Sequence, residues 1–280
     1  MLTSEDSAVA NSNLARELDE ISTRLVEARA TASPLPGFPG PLPEELEHAY
    51  SVQSASIARW PDTVAGWKVG GVPPSFRERM GVGRLAGPIF QGSIASVQSG
   101  DEVSMPIFDG GFAAIEAEYV FRIGETIEPT QSDLSNEELV QRIAALHIGA
   151  EVASSPMADI NRLGPCSIVS DFGNNAGLVV GPEVDDWFGL PPAEMSARVT
   201  LDGTVVGSAD ATAVDGGLLQ SLRFLVTLCA QRDLALPSGT LVSCGAMTGI
   251  HEVSVGSSAT IDFGASGSFT VNFVAMQPRR

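Results

Sequence analysis

Glu116 and Glu118 stand two residues apart inside an apolar run, Ile115-Glu116-Ala117-Glu118-Tyr119-Val120-Phe121. Alternate side chains of an extended strand share a face, so the two carboxylates point the same way. On a buried surface such a pair repels and resists ionisation unless a cation sits between them. Carboxylate oxygens suit a hard divalent ion, Mg2+ or Mn2+, which retains water positions that a substrate can displace. The same alternation also allows the opposite arrangement, with Ile115, Ala117 and Tyr119 inward and both acids in solvent. A third acid, Glu151, closes the apolar stretch Ala144-Ala145-Leu146-His147-Ile148-Gly149-Ala150, where a free carboxylate is costly. Three carboxylates on neighbouring strands would form a one-sided ligand set, leaving the far side open to a chelating substrate. His147 is read as a hydrogen-bonded core residue ahead of a fourth ligand.

The basic residues add a second clue, because 16 Lys and Arg residues include a single lysine, Lys68. Arginine serves as well as lysine on most solvated surfaces, whereas a lysine in a site acts as a compact donor or sheds its proton when buried. Chance in an arginine-biased composition is the competing account. Cys166, Cys229 and Cys244 are odd in number and lack CxxC spacing, which predicts reduced buried thiols instead of a disulfide frame or a zinc knuckle.

Positioning these groups requires a largely β body. From Gly66 onward, short runs at 67–69, 115–123, 167–170 and 177–180 are bounded by Gly, Pro, Asp or Asn, the pattern of strands and turns. Leu14, Leu18, Ile21 and Leu25 share one face of an opening helix over 14–31. A proline-glycine connector over 31–43 follows, and Pro43 leads a second helix over about 44–59. Ser135 and Glu138 stand at capping-box spacing, which predicts a helix over about 135–148, and Leu218, Leu222, Leu225 and Val226 predict another over about 217–232. Beyond Thr240 the alternation returns, with Val253, Val255, Ile261, Phe263, Phe269, Val271 and Phe273 as inward candidates. The expectation is a single α+β catalytic domain over 1–280, with a helical N-terminal cap over about 1–62 and a β-rich metal-binding core over about 63–280.

The formal charge of -18 disfavours nucleic acid and anionic membrane surfaces as partners. No apolar run reaches the ~20 residues of a spanning helix, and the acidic 1–13 segment lacks the form of a signal peptide, so a cytoplasmic address is expected.

The order of motifs resembles the fumarylacetoacetate hydrolase superfamily and, within it, the 2-keto-4-pentenoate hydratase and 4-oxalocrotonate decarboxylase group. Ala49-Tyr50-Ser51-Val52-Gln53 is like the AYxVQ helix, Gly66-Trp67-Lys68-Val69-Gly70 like the GxKVG strand, and Gly87-Pro88-Ile89-Phe90 like the GPLF segment. Ile115-Glu116-Ala117-Glu118 is like the IEAE metal strand, and Glu151 falls where the group has its third metal glutamate. The stretch 171–181, DFGNNAGLVVG, is similar to DNGSAAGLVLG; the 222–236 helix and the GSLTG-like turn Gly245-Ala246-Met247-Thr248-Gly249 follow. ExE and GxK each occur widely, but seven motifs in this order span most of the chain.

The resemblance implies a twisted β-roll core and homo-oligomeric assembly. It also implies Mg2+ or Mn2+ held by Glu116, Glu118 and Glu151, and a 2-oxo acid or its enol chelating that ion. It makes Lys68 and Asp171 the catalytic candidates, and Phe90, Phe172, Asn174, Thr248 and Arg79 the substrate-binding ones. The expected activity is a hydratase-type lyase acting on a 2-hydroxy-2,4-dienoate through a metal-stabilised enolate, in the setting of aromatic-compound breakdown. The alternatives are a 4-oxalocrotonate-type decarboxylase, then an acylpyruvate-type carbon-carbon hydrolase, then a catalytically silent member. The lid over 75–83 has Glu78 but no histidine, which disfavours the hydrolase. Three departures from the group's pattern, Ala86, Phe172 and Asn174, predict a less polar pocket and a changed substrate.

Overall fold

The computed structural model describes residues 4–279, with side chains described from residue 12. Its helices are α1 (Ser4–Ala30), α2 (Leu46–Arg59), α3 (Pro74–Met80), α4 (Asn136–Gln141), α5 (Ile160–Leu163), α6 (Pro165–Ser170) and α7 (Leu218–Gln231). Its strands are β1 (Val64–Gly71), β2 (Arg84–Phe90), β3 (Ile94–Ser96), β4 (Glu102–Ile107), β5 (Phe112–Ile123), β6 (Ile143–Ser155) and β7 (Asn175–Glu183). They continue with β8 (Ser196–Leu201), β9 (Thr204–Asp210), β10 (Leu241–Ser243), β11 (His251–Glu252), β12 (Ser258–Asp262) and β13 (Ser268–Ala275).

Two sheets result. The larger runs β2-β1-β10-β5-β6-β7-β3, with β11 on β5, and curls into a half-barrel; the smaller runs β4-β13-β12-β8-β9. This is a mixed α+β fold with helices at its N-terminal end. Of the apolar face expected on α1, Ile21 and Leu25 are buried and Leu14 and Leu18 half-buried; Ala49 and Val52 bury α2. Among the described residues no helix is long and apolar enough to cross a membrane.

β5 and β6 form the spine. Every residue of β5 except Arg122 is buried, and the strand's two faces do different work. Tyr119 and Phe121 enter the main core, whereas Val120, on the face of Glu116 and Glu118, packs with Ile89, Leu178 and Val180 in a small separate apolar cluster. The arrangement with both acids in solvent is therefore excluded.

Two predicted elements change type. The helix expected over 135–148 stops at Gln141, and 143–155 forms β6 between β5 and β7. The capping box of Ser135 and Glu138 is present, so the start was legible. The continuation was ambiguous because a short apolar run suits a buried strand as well as a helix. The strand expected at 167–170 is instead α6, opened by Pro165 at its first turn. Of the inward candidates near the C-terminus, Val255 is exposed and Val253 half-buried, while the other five are buried. Cys166, Cys229 and Cys244 are free and buried, as expected.

Candidate metal centre

Pairing between β5 and β6 sets Glu116 directly opposite Glu151, with Glu118 opposite Gly149. One oxygen from each of the three glutamates lies within 4.8 Å of the others, and all three side chains are buried. Lys68 arrives from β1, where it is level with Ser243 of β10, and β10 pairs with β5. Lys68 Nζ lies 3.3 Å from Glu151 Oε2. Asn175 Nδ2 donates to Glu151 Oε1 at 3.0 Å, and Ser243 Oγ and the Gly245 amide, the latter at 2.8 Å, donate to Glu118 Oε2.

Electrostatics show what this cluster lacks. Burial, reinforced by repulsion from Glu151 and opposed by Lys68, pushes the Glu116 pKa up to about 7. Burial, then Glu151 and Glu116, hold Glu118 well above the usual carboxylate range. For Lys68, burial is the largest influence and opposes charge, yet the three carboxylates, led by Glu151, together raise its pKa above the ordinary lysine value. Glu118 Oε1 is buried with no hydrogen-bond partner among the described residues. A buried carboxylate oxygen without a partner is costly, and three carboxylates formally outnumber the one ammonium by two charges. A hard divalent cation ligated by carboxylate oxygen fits both deficits, so the donor set suits Mg2+ or Mn2+.

Lys68 and Glu116 open onto a cavity of about 300 Å3, lined also by Asn161 and Asn174 and, where it meets the more exposed surface, by Arg77 and Arg84; Glu118 and Glu151 lie behind that lining. Asn174 Oδ1 accepts from Lys68 Nζ at 3.4 Å, and its amide donates to Asn161 Oδ1 at 3.3 Å. Arg84 donates through Nε to Ser221 Oγ at 3.3 Å and through Nη2 to the Asp215 carbonyl. Arg77 donates to the Val72 carbonyl at 2.8 Å and lies 3.5 Å from the Asp215 carboxylate. Burial lowers the Arg84 pKa; Asp215 opposes this and the nearby Arg77 charge adds to it.

The structure brings together only part of the residue set singled out from sequence. Glu116, Glu118, Glu151, Lys68 and Asn174 converge. Asp171 does not line the cavity: Arg29 grips both its carboxylate oxygens, and Ser155 Oγ donates to it at 2.6 Å. Phe90 and Phe172 turn into a neighbouring cavity and stack at 5.0 Å with Trp60 beside them. Phe172 therefore does not line the cavity of the acid cluster, and Ala86 is buried between Tyr50 and Gln53 contacts instead of facing it. Thr248 is half-buried just outside the lining, its hydroxyl 3.2 Å from His251 Nε2. Arg79 sits on the exposed side of α3 against the Phe76 ring, 5.9 Å away, so the lid arginine that reaches the cavity is Arg77. His147 bonds the Gly181 carbonyl at 3.1 Å and is no ligand. Arg77, Arg84, Asn161, Asn175 and Ser243 are not among the sequence candidates, although Arg77 lies within the lid segment 75–83 and Asn175 within the 171–181 motif.

The curled sheet, the N-terminal helices and the carboxylate pair on a central strand give the chain a fumarylacetoacetate-hydrolase-like fold. No family model matches the chain. Its structure superposes on 4-oxalocrotonate decarboxylase of Pseudomonas putida G7, complexed with magnesium and adipate, with a TM-score of 0.75 at 20% identity, covering 92% of this chain and 98% of that one. By sequence it is 24% identical over 244 residues to a 4-oxalocrotonate decarboxylase of Pseudomonas sp., covering 83% of this chain and 88% of the relative. A fumarylpyruvate hydrolase of Pseudomonas aeruginosa, in complex with Mn2+ and pyruvate, matches with a TM-score of 0.54 at 17% identity over 79% of this chain and 94% of that one.

Proposed function

We propose that this chain is a divalent-metal-dependent lyase that decarboxylates a 2-oxo dicarboxylate of the 4-oxalocrotonate type. The observation that carries the reading is the pairing of two ends of one cavity. At one end Glu116 and Lys68 line the cavity, with Glu118 and Glu151 packed beside them; at the other stand Arg77, which faces the Asp215 carboxylate, and Arg84, which donates to the Asp215 carbonyl. A 2-oxo acid head fits the first end and a distal carboxylate the second. The likeness to 4-oxalocrotonate decarboxylases supports the same choice, and moves the reading from the hydratase that the motif order suggested to its decarboxylating alternative.

Mg2+ or Mn2+ held by Glu116, Glu118 and Glu151 would supply Lewis acidity toward the oxygens of the 2-oxo acid. In the reaction, the carbon-carbon bond to the distal carboxylate breaks and carbon dioxide leaves. The electron pair moves through the conjugated chain toward the 2-oxo oxygen, and one proton is taken up. Lys68, held charged by its carboxylate neighbours, places positive charge at that end and is the candidate proton source. Asn174 and Asn161 fix the position of the ammonium. Leu85, Ile168 and Val214 line the cavity with apolar surface, which weakens hydration of the departing carboxylate. Pairing that carboxylate with Arg84 or Arg77 stabilises the ground state, so the arginines serve binding more than bond cleavage.

The test follows carbon dioxide release from 4-oxalocrotonate and water addition to 2-hydroxypenta-2,4-dienoate, each with and without Mn2+. Metal-dependent carbon dioxide release is expected, with Arg84→Met raising KM about tenfold and changing kcat less. Water addition without carbon dioxide release would overturn the reading in favour of a hydratase. Silence on both substrates with Mn2+ bound would overturn it in favour of a non-catalytic member.

A further inference from the structure

Behind the metal site lies a second cavity of about 320 Å3, walled by the rings of Trp60, Phe90, Phe108 and Phe172 and by the guanidinium groups of Arg29 and Arg279. The wall shared by the two cavities is the turn Phe172-Gly173-Asn174, whose residues are all left-handed, at φ 55°, 67° and 54°. A bulky aromatic residue rarely adopts this conformation, which costs on the order of 1 kcal/mol or more and persists only where its surroundings enforce it. Here the β2 backbone enforces it: a β-carbon on Gly87 would lie 2.1 Å from the Phe172 carbonyl oxygen, so only glycine lets the turn close down. The turn sends the Phe172 ring into the second cavity and the Asn174 amide to Lys68 in the first. Asn175 also serves both sides. Its side chain donates to Glu151 Oε1 at 3.0 Å, and its carbonyl accepts from Arg29 Nη1 at 2.9 Å.

The walls specify a ligand. Trp60, Phe90 and Phe172 stand 5.0 to 5.8 Å apart in edge-on and tilted pairs, a surround suited to one more aromatic ring. The lining carries two guanidinium groups but one carboxylate, Asp62, because Asp171, which balances Arg29, lies outside it. Asp62 already accepts from the Thr63 amide at 2.8 Å, the Gly92 amide at 3.2 Å and Arg279 Nη2 at 3.1 Å. Arg279 stacks on Trp60 at 4.5 Å, and among the described residues its Nε and Nη1 have no hydrogen-bond partner. Aromatic walls together with guanidinium donors stacked beside them select a planar anion.

We propose that this cavity binds a small aromatic carboxylate, and that its occupancy is read at the metal centre through the 172–175 segment. The ligand ring packs on Phe172 and its carboxylate meets Arg279. The load passes along the clamped turn to Asn174 and Asn175, which hold Lys68 and Glu151. The cavity lies outside the function proposed above; only the coupling depends on that reading.

Benzoate is the probe, titrated calorimetrically into metal-free protein in EDTA, where the acid cluster repels anions. One-to-one binding is expected, weakened about tenfold or more in Arg279→Met, whose Mn2+ affinity without benzoate should equal that of the wild type. No binding to the wild type up to about 10 mM, or equal binding by the variant, would overturn the site. Saturating benzoate is then expected to change the Mn2+ dissociation constant about fivefold in the wild type, and Mn2+ to change that of benzoate by the same factor. An Mn2+ affinity indifferent to bound benzoate would overturn the coupling. Failure of Mn2+ to bind at all would sink the metal-centre reading and leave the benzoate result to stand by itself.

Discussion

Two buried clusters of charge lie side by side in this molecule and are built on opposite terms. In the first, Arg29 and Asp171 balance, and the guanidinium also donates to the carbonyls of Ser154, Asp171 and Asn175 at 2.9 to 3.1 Å. In the second, Glu116, Glu118 and Glu151 face Lys68 alone, with one oxygen left without a partner. Both hold acids at similar depth, so burial does not distinguish them. The balance of charge and hydrogen bonds does: the satisfied cluster is scaffold, and the unsatisfied one is built for something that binds.

The sharpest way to break this contrast is to damage each cluster in turn. Arg29→Met strands a buried aspartate and should cost about 3–5 kcal/mol of stability, read as a large fall in urea midpoint or as insoluble protein. A variant as stable as the wild type would show that Asp171 is not held as described. Glu118→Gln should act in the opposite sense. Its carbonyl can still accept from Ser243 and Gly245, and its new NH2 group takes the place of the orphaned oxygen beside two carboxylates. Metal-free stability should stay level or rise. Mn2+ affinity should drop about a hundredfold or more, since even residues behind the ligands are worth about 10–100-fold. Calorimetry reads both, and retained Mn2+ affinity would remove Glu118 from the ligand set.

A smaller effect separates the clusters by pH. Glu116 titrates near 7 in the fold and near 4.5 when free, so between these values the folded chain holds a proton that the unfolded chain releases. Metal-free stability should therefore decline as pH rises from about 4.5 to 7, and Glu118, also held well above the usual carboxylate range, adds to the decline. Bound Mg2+ should flatten this slope. Melting temperatures in EDTA and in Mg2+ at several pH values test it, and a metal-free protein that gains stability from pH 5 to 7 would contradict the assignment.

The contrast also marks what the sequence could disclose. The ExE spacing placed two carboxylates on one face, because strand periodicity is local. That Glu116 lies opposite Glu151 depends on strand register across the connection that carries α4; the apolar surroundings of Glu151 and the order of motifs both point to the third carboxylate, and neither fixes the register. Asp171 was placed in the site by that same order, yet its partner Arg29 comes from α1, 142 positions earlier, and no local pattern announces such an ion pair. Phe172 is a pocket candidate through its place in the 171–181 motif, and nothing in that motif foreshadows the left-handed backbone that turns its ring away. The helical cap and α7 were legible from apolar periodicity, whereas β6 was half lost, since a buried strand with both faces covered shows no alternation.

The strand pair that bears the three glutamates has a consequence in time. β5 and β6 are joined by the 124–142 connection that carries α4 and match over twelve positions, whereas Lys68 and Ser243 come from strands far off in the chain. Loop-closure entropy favours the nearer pairing, so the acids meet before the lysine and the β10 hydroxyl can reach them. On that order the three carboxylates would meet before Lys68 arrives, and the unit that would first offer itself to a metal is β5, α4 and β6.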